Sequence, residues 1–154
     1  MNLVAGVDGC KAGWFVVLAN ADTGKISDFQ CVKQLSDLFQ YSHQISLIAI
    51  DVPIGLLSFA RPKGRKCDAL AREKLKHPRS SSVFSPPARN ALRYHNNYLD
   101  ANYANKKSSS EGIGISIQCF NIFPKIIEVD TLIDPTLQNM VKEVHPEVSF
   151  WKMG

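Results

Sequence analysis

The sequence predicts an α/β fold built on a mixed sheet, an antiparallel three-strand meander followed by strands alternating with helices. Three observations predict it. Three apolar, β-rich runs, Leu3–Val7, Trp14–Ala19 and Lys25–Val32, are joined by short turn-forming segments, which favours antiparallel hairpins. A fourth run, Ile45–Ile50, is continuously apolar and stops at Asp51 and Pro53, as a strand buried on both faces does. Helical patterns then occupy much of the chain between this strand and a last strand near the C-terminus.

Each element has a local cause. The first run ends at Asp8-Gly9, a turn signal, and Gly9-Cys-Lys-Ala-Gly13 is a tight glycine-bounded connection. Asn20-Ala-Asp-Thr-Gly24 is a second turn. Ser36 is a cap for a short helix. Cys67–Lys76 has helical character and ends at His77-Pro78. Ser80–Pro87 reads as loop, Ala88–Tyr103 as helix, and Lys106–Gly114 as a Ser- and Gly-rich loop. Ile115–Phe123 is expected as a helix ended by Pro124, with Lys125–Asp130 continuing after it. Lys142–Phe150 is expected as the last strand, interrupted by Pro146. A strand so close to the end of the chain leaves one sheet face without its next covering element. A second copy could cover such a face, so a homodimer is one possible assembly.

The length of 154 residues suits a single domain spanning 1–154, with a mostly helical basic insertion at 57–124. With 45% hydrophobic and 21% charged residues, the chain is neither disordered, collagen-like nor a coiled coil. The net charge of +4 decides nothing, but its distribution does. Residues 61–79 hold eight Lys or Arg against two acids, a net +6 that leaves the rest of the chain at −2. Such a segment could lie along a polyanion. Arg65, Arg72 and Arg79 recur every seven residues, one stripe of a helix that extends that far. Ser81, beside Arg79, is a further phosphate contact. No aromatic residue interleaves with the basic ones, so no stacking platform for single strands is expected.

Cys10, Cys31, Cys67 and Cys119 are scattered, with no C-x-x-C and no zinc spacing. They read as thiols of a cytoplasmic protein. The N-terminus has no signal-peptide pattern, and no apolar run is long enough to span a membrane.

Two acids stand at the C-terminal ends of apolar strands, Asp8 and Asp51. A carboxylate there is costly to bury unless paired or bound to a cation. If the first and fourth strands are parallel neighbours, both carboxylates emerge at one sheet edge and can hold Mg²⁺ or Mn²⁺. Glu143-Val-His145-Pro-Glu147 is the third acid-rich spot. Glu143 or Glu147 would complete the shell, and His145 would bind the metal or a phosphate. Asp8, Asp51 and Glu143 are the candidate catalytic set, and Lys11 a candidate substrate contact.

These segments together resemble one family. Val7-Asp-Gly-Cys-Lys-Ala-Gly-Trp14, Ile50-Asp-Val-Pro-Ile-Gly-Leu56, Arg65–Arg72, Arg79–Pro87 and Glu143–Trp151 look like the successive motifs of domain of unknown function 429, in order and across the chain. The resemblance implies an RNase H-like fold and a predicted nuclease that hydrolyses DNA or RNA with a divalent metal. It matches the family's first metal-binding Asp to Asp8 and the second acid to Asp51, with Glu143 and Glu147 in the next motif. Ala12 stands where the family often has Gly. Family members usually run some tens of residues further, into a C-terminal helix with an Asp-rich motif. The expectation is therefore a domain without that helix, with a non-catalytic nucleic-acid or nucleotide-binding protein as the alternative.

Overall fold

The computed structural model describes residues 2–41 and 44–154. They divide into two compact units, one of Met1–Ile54 with Glu128–Val144, the other of Gly55–Ile127 with His145–Gly154.

The first unit is a mixed α/β layer with a five-stranded sheet. Strands β1 (Leu3–Cys10), β2 (Gly13–Asn20) and β3 (Ile26–Val32) form the antiparallel meander, and β4 (Ile45–Ile50) and β5 (Val141–Glu143) follow. Their order is β3-β2-β1-β4-β5. Strands β1 and β4 pair in parallel, as do β4 and β5. The pleat sorts the side chains into two faces. Leu3, Ala5 and Val7 of β1, Trp14 and Val16 of β2, and Ile45, Ile48 and Ile50 of β4 are buried. Leu35 and Leu38, on a 3-10 turn over Leu35–Tyr41, are buried as well. Burying each Val, Leu or Ile among them is worth about 1.5–3 kcal/mol. Glu128 ties this layer together. Its Oε2 accepts from Trp14 Nε1 at 2.9 Å, and its Oε1 accepts from the Leu35 N–H.

The opposite face carries Val4, Gly6 and Asp8 of β1 in register with Ala19, Val17 and Phe15 of β2. Phe15 and Phe29 are exposed there, their rings 6.4 Å apart. Strand β4 departs from the expectation of burial on both faces, since Ser46 and Leu47 are exposed. Its burial does not alternate strictly, because the pairing with β1 shifts register between Leu3 and Val4, opposite Ile45 and Leu47.

The second unit is helical: α1 (Lys66–Leu75), α2 (Tyr98–Lys107), α3 (Ile117–Asn121) and α5 (Pro146–Met153). Helix α4 (Phe123–Leu132) runs from this unit into the first. Three expectations are corrected here. The helix expected over Ala88–Tyr103 is a 3-10 turn, Arg89–Tyr94, followed by α2. Asn97 breaks it by accepting from the N–H groups of Leu99 and Asp100 as the cap of α2. Pro124 does not end a helix. It sits in the first turn of α4, where a missing N–H removes no helical bond. The last strand stops at Glu143, and Pro146 opens α5. Pro146 lacks the N–H a ladder needs and its fixed φ suits a first helical turn.

A buried ion pair organises the start of α1. Asp68 accepts from the Arg65 N–H at 2.7 Å, from Nε at 3.1 Å and from Nη2 at 2.7 Å. Both residues are buried. Gly64 precedes the pair with φ +67°, and a Cβ there would stand 2.7 Å from Asp68 Oδ2 and 2.8 Å from Ser85 Oγ. Gly64→Ala is expected to cost about 1–3 kcal/mol through this strain. Thermal unfolding of the variant measures it, and an unchanged midpoint would refute the close fit.

Candidate functional site

The parallel β1–β4 pairing fixes the geometry of the two strand-end acids. Val7 is the register partner of Ile50, and the Asp51 N–H donates to Val7 O at 3.2 Å. Asp8 and Asp51 are therefore the next residues of adjacent parallel strands, at the same sheet end. Asp8 lies on the open face, opposite Phe15, and is exposed; Asp51 is partly exposed. Val7 and Ile50 are both buried, so the pleat turns the residue after each toward the open side.

Glu143 is brought to the same sheet end, since it is the register partner of Ile50 on the far side of β4. Its Oε2 accepts from the Ile54 N–H at 2.8 Å. This carboxylate thus holds the segment that leaves Asp51 through Val52-Pro53. Among the described residues, no group of three His, Cys, Asp or Glu is placed to hold a metal ion. Lys11 is exposed at the tip of the β1–β2 hairpin.

The remaining candidates belong to the second unit. Glu147 on α5 lies 3.9 Å from Arg79 Nε, both well exposed. Such a surface pair contributes about 0–1 kcal/mol. His145 precedes α5, with Nε2 3.4 Å from Ser82 O, while its Nδ1 is buried without a hydrogen-bond partner. Arg79, Ser82, His145 and Glu147 therefore form one small group. Ser81 is exposed, and its hydroxyl donates to Pro78 O at 2.7 Å.

The arginine stripe does not form a common surface. Arg65 is buried against Asp68. Arg72 donates from Nε to Val83 O at 2.8 Å, from Nη1 to Lys63 O at 2.9 Å and from Nη2 to Ser85 Oγ at 2.9 Å. Both guanidinium groups hold the fold of this unit. The cations presented at the surface are Arg61, Lys63, Lys66, Lys74, Lys76 and Arg79. A seven-residue spacing could not reveal this, because a helical stripe is equally the pattern of an inward face. Arg72→Lys is expected to destabilise the protein by about 2 kcal/mol, since an ammonium cannot reach three fork-directed acceptors. A chemical-denaturation midpoint equal to that of the unmodified protein would contradict this.

None of the four cysteines is in a disulfide. Cys119 is fully buried, and burial pushes its thiol up to about 12. It stays protonated and inert at neutral pH.

The profile of one family, described as a protein of unknown function (DUF429), matches residues 6–154. The chain belongs to this family. The match spans both units and every candidate named above, Asp8 through Glu147. No curated protein and no solved structure matches the chain. No helix among the described residues is long and apolar enough to cross a membrane.

Proposed function

We propose that this DUF429 protein is an RNase H-like phosphodiesterase that hydrolyses DNA or RNA with Mg²⁺ or Mn²⁺. The observation that carries the reading is the parallel register of Val7 with Ile50, which makes Asp8 and Asp51 neighbours at one sheet end. The β3-β2-β1-β4-β5 order, with its antiparallel meander and two parallel pairs, supports the fold assignment.

The donor set fits a small hard cation. Mg²⁺ is commonly held by one or two carboxylates, with water and substrate phosphate oxygens filling the other positions. Asp8 and Asp51 would hold it. When bound, the ion supplies charge for the phosphate and lowers the pKa of a coordinated water. The chain's own residues do the positioning. Glu143 fixes the turn after Asp51 through the Ile54 N–H, so Glu143 is a positioning residue. Lys11, exposed at the hairpin tip, offers an ammonium to a phosphate of the strand. The test is Mn²⁺-dependent cleavage of labelled DNA and RNA by the unmodified chain and by Asp8→Asn.

The exposed cations of residues 61–79 favour a second reading, nucleic-acid binding without turnover. Reversing Lys66, Lys74 and Lys76 to Glu is expected to weaken binding and flatten the salt dependence by about one unit of log–log slope for each lysine that contacts a phosphate. Fluorescence anisotropy at several salt concentrations reads both. Identical slopes for the variant and the parent would remove this segment from the interface. Arg65 and Arg72 are unsuited to this test, because their loss reports on folding.

A further inference from the structure

We propose that Cys10 and Cys31 are a redox-active dithiol that closes into a disulfide when a disulfide oxidant such as oxidised glutathione is present. Their Sγ atoms lie 3.5 Å apart. The two residues are on β1 and β3, with β2 between them. The residue of β2 opposite Cys10 is Gly13, which has no side chain, and the one opposite Cys31 is Phe15, so the two sulfurs meet on a diagonal across β2. A Cβ on Gly13 would stand only 2.1 Å from Val32 O, so β2 begins hard against β3 at this point. The sequence thus lets a side chain at the end of β1 reach across to the edge strand.

A disulfide needs its sulfurs at about 2.05 Å and its Cα atoms within about 7 Å, whereas strands separated by a third stand roughly 9–10 Å apart, so closure takes a backbone shift of a few ångström at the end of β1. Cys10 is the last residue of β1, directly before the exposed hairpin tip Lys11-Ala12, where the chain can supply it. Cys31 is exposed and Cys10 partly so, which gives an oxidant access. The thiolate of Cys31 attacks oxidised glutathione, forming a mixed disulfide and releasing one glutathione thiolate. The thiolate of Cys10 then attacks the Cys31 sulfur, forming the Cys10–Cys31 bond and releasing the second. Two protein thiols are oxidised and one glutathione disulfide is reduced to two glutathiones, with the two protons leaving to solvent or the released thiolates. The product would pin the β1–β2 hairpin to β3. The inference does not depend on the carboxylates or on any nuclease activity.

The chain provides its own controls. Cys67 is exposed and Cys119 is buried. Trypsin cuts after Lys11, Lys25 and Lys33, which places Cys10 and Cys31 on separate peptides, 1–11 and 26–33. The full-length protein is treated with oxidised glutathione under native conditions, digested without reductant and read by mass spectrometry. The expected result is a linked 1–11/26–33 peptide, abolished by reductant, with a glutathione adduct on Cys67 and none on Cys119. Cys10→Ser is expected to leave a lasting glutathione adduct on Cys31, because the resolving thiol is gone. Separate adducts on Cys10 and Cys31 in the unmodified protein, or no reaction at either, would overturn the proposal.

Discussion

Replacing Asp68 by Ala is expected to destabilise the protein by about 3–5 kcal/mol. The carboxylate accepts three hydrogen bonds from Arg65, and both residues are buried. Its removal leaves a guanidinium buried without its counter-charge, the costly half of a broken ion pair. For a chain of 154 residues this corresponds to a fall of roughly 6–20 °C in the unfolding midpoint. Asp68→Asn, which keeps an acceptor, should lose less. Calorimetric scans of the two variants and the parent decide it. Equal midpoints for parent and Asp68→Ala would mean that the pair contributes nothing net, and the view of α1 as anchored at its first turn would be wrong.

Neutralising either strand-end acid is expected to slow the proposed metal-dependent cleavage strongly while leaving the chain folded. Asp8 is exposed and Asp51 partly so, and an amide keeps the size of the side chain at both positions. Several kcal/mol of charge stabilisation by a bound cation correspond to a loss on the order of 10²–10³-fold in rate. Asp8→Asn and Asp51→Asn should each show that loss, and the double variant little more if both carboxylates hold one ion as proposed. Glu143→Gln should cost less, since its amide can still accept from the Ile54 N–H. Cleavage that survives both Asp substitutions at the parental rate would detach these residues from the chemistry.

The legible and illegible parts of the fold separate on physical grounds. The meander could be read because short turn segments force neighbouring strands, and β1 to β4 fall where their apolar runs predict. The neighbourhood of Asp8 and Asp51 could be read as a condition on strand order, and the parallel β1–β4 register meets that condition. The C-terminal helix could not be read from periodicity, because Val148, Phe150 and Trp151 are as compatible with a strand as with a helix. Only Pro146 as a first-turn residue separates the two. The fate of the arginine stripe was equally hidden. Charge patterning counts cations without saying which faces inward, and Arg72 finds its acceptors in backbone carbonyls that no residue type announces. The Cys10–Cys31 approach joins β1 to β3 across β2, a three-strand relation that lies beyond pairwise spacing.

The claim that Asp8 and Asp51 hold a divalent cation is tested most directly by titration calorimetry with Mn²⁺. Binding to the unmodified chain is expected, with its loss in Asp8→Asn and in Asp51→Asn while each variant keeps a cooperative unfolding transition. Binding of equal strength in the double variant, or no binding by the unmodified chain, would contradict it.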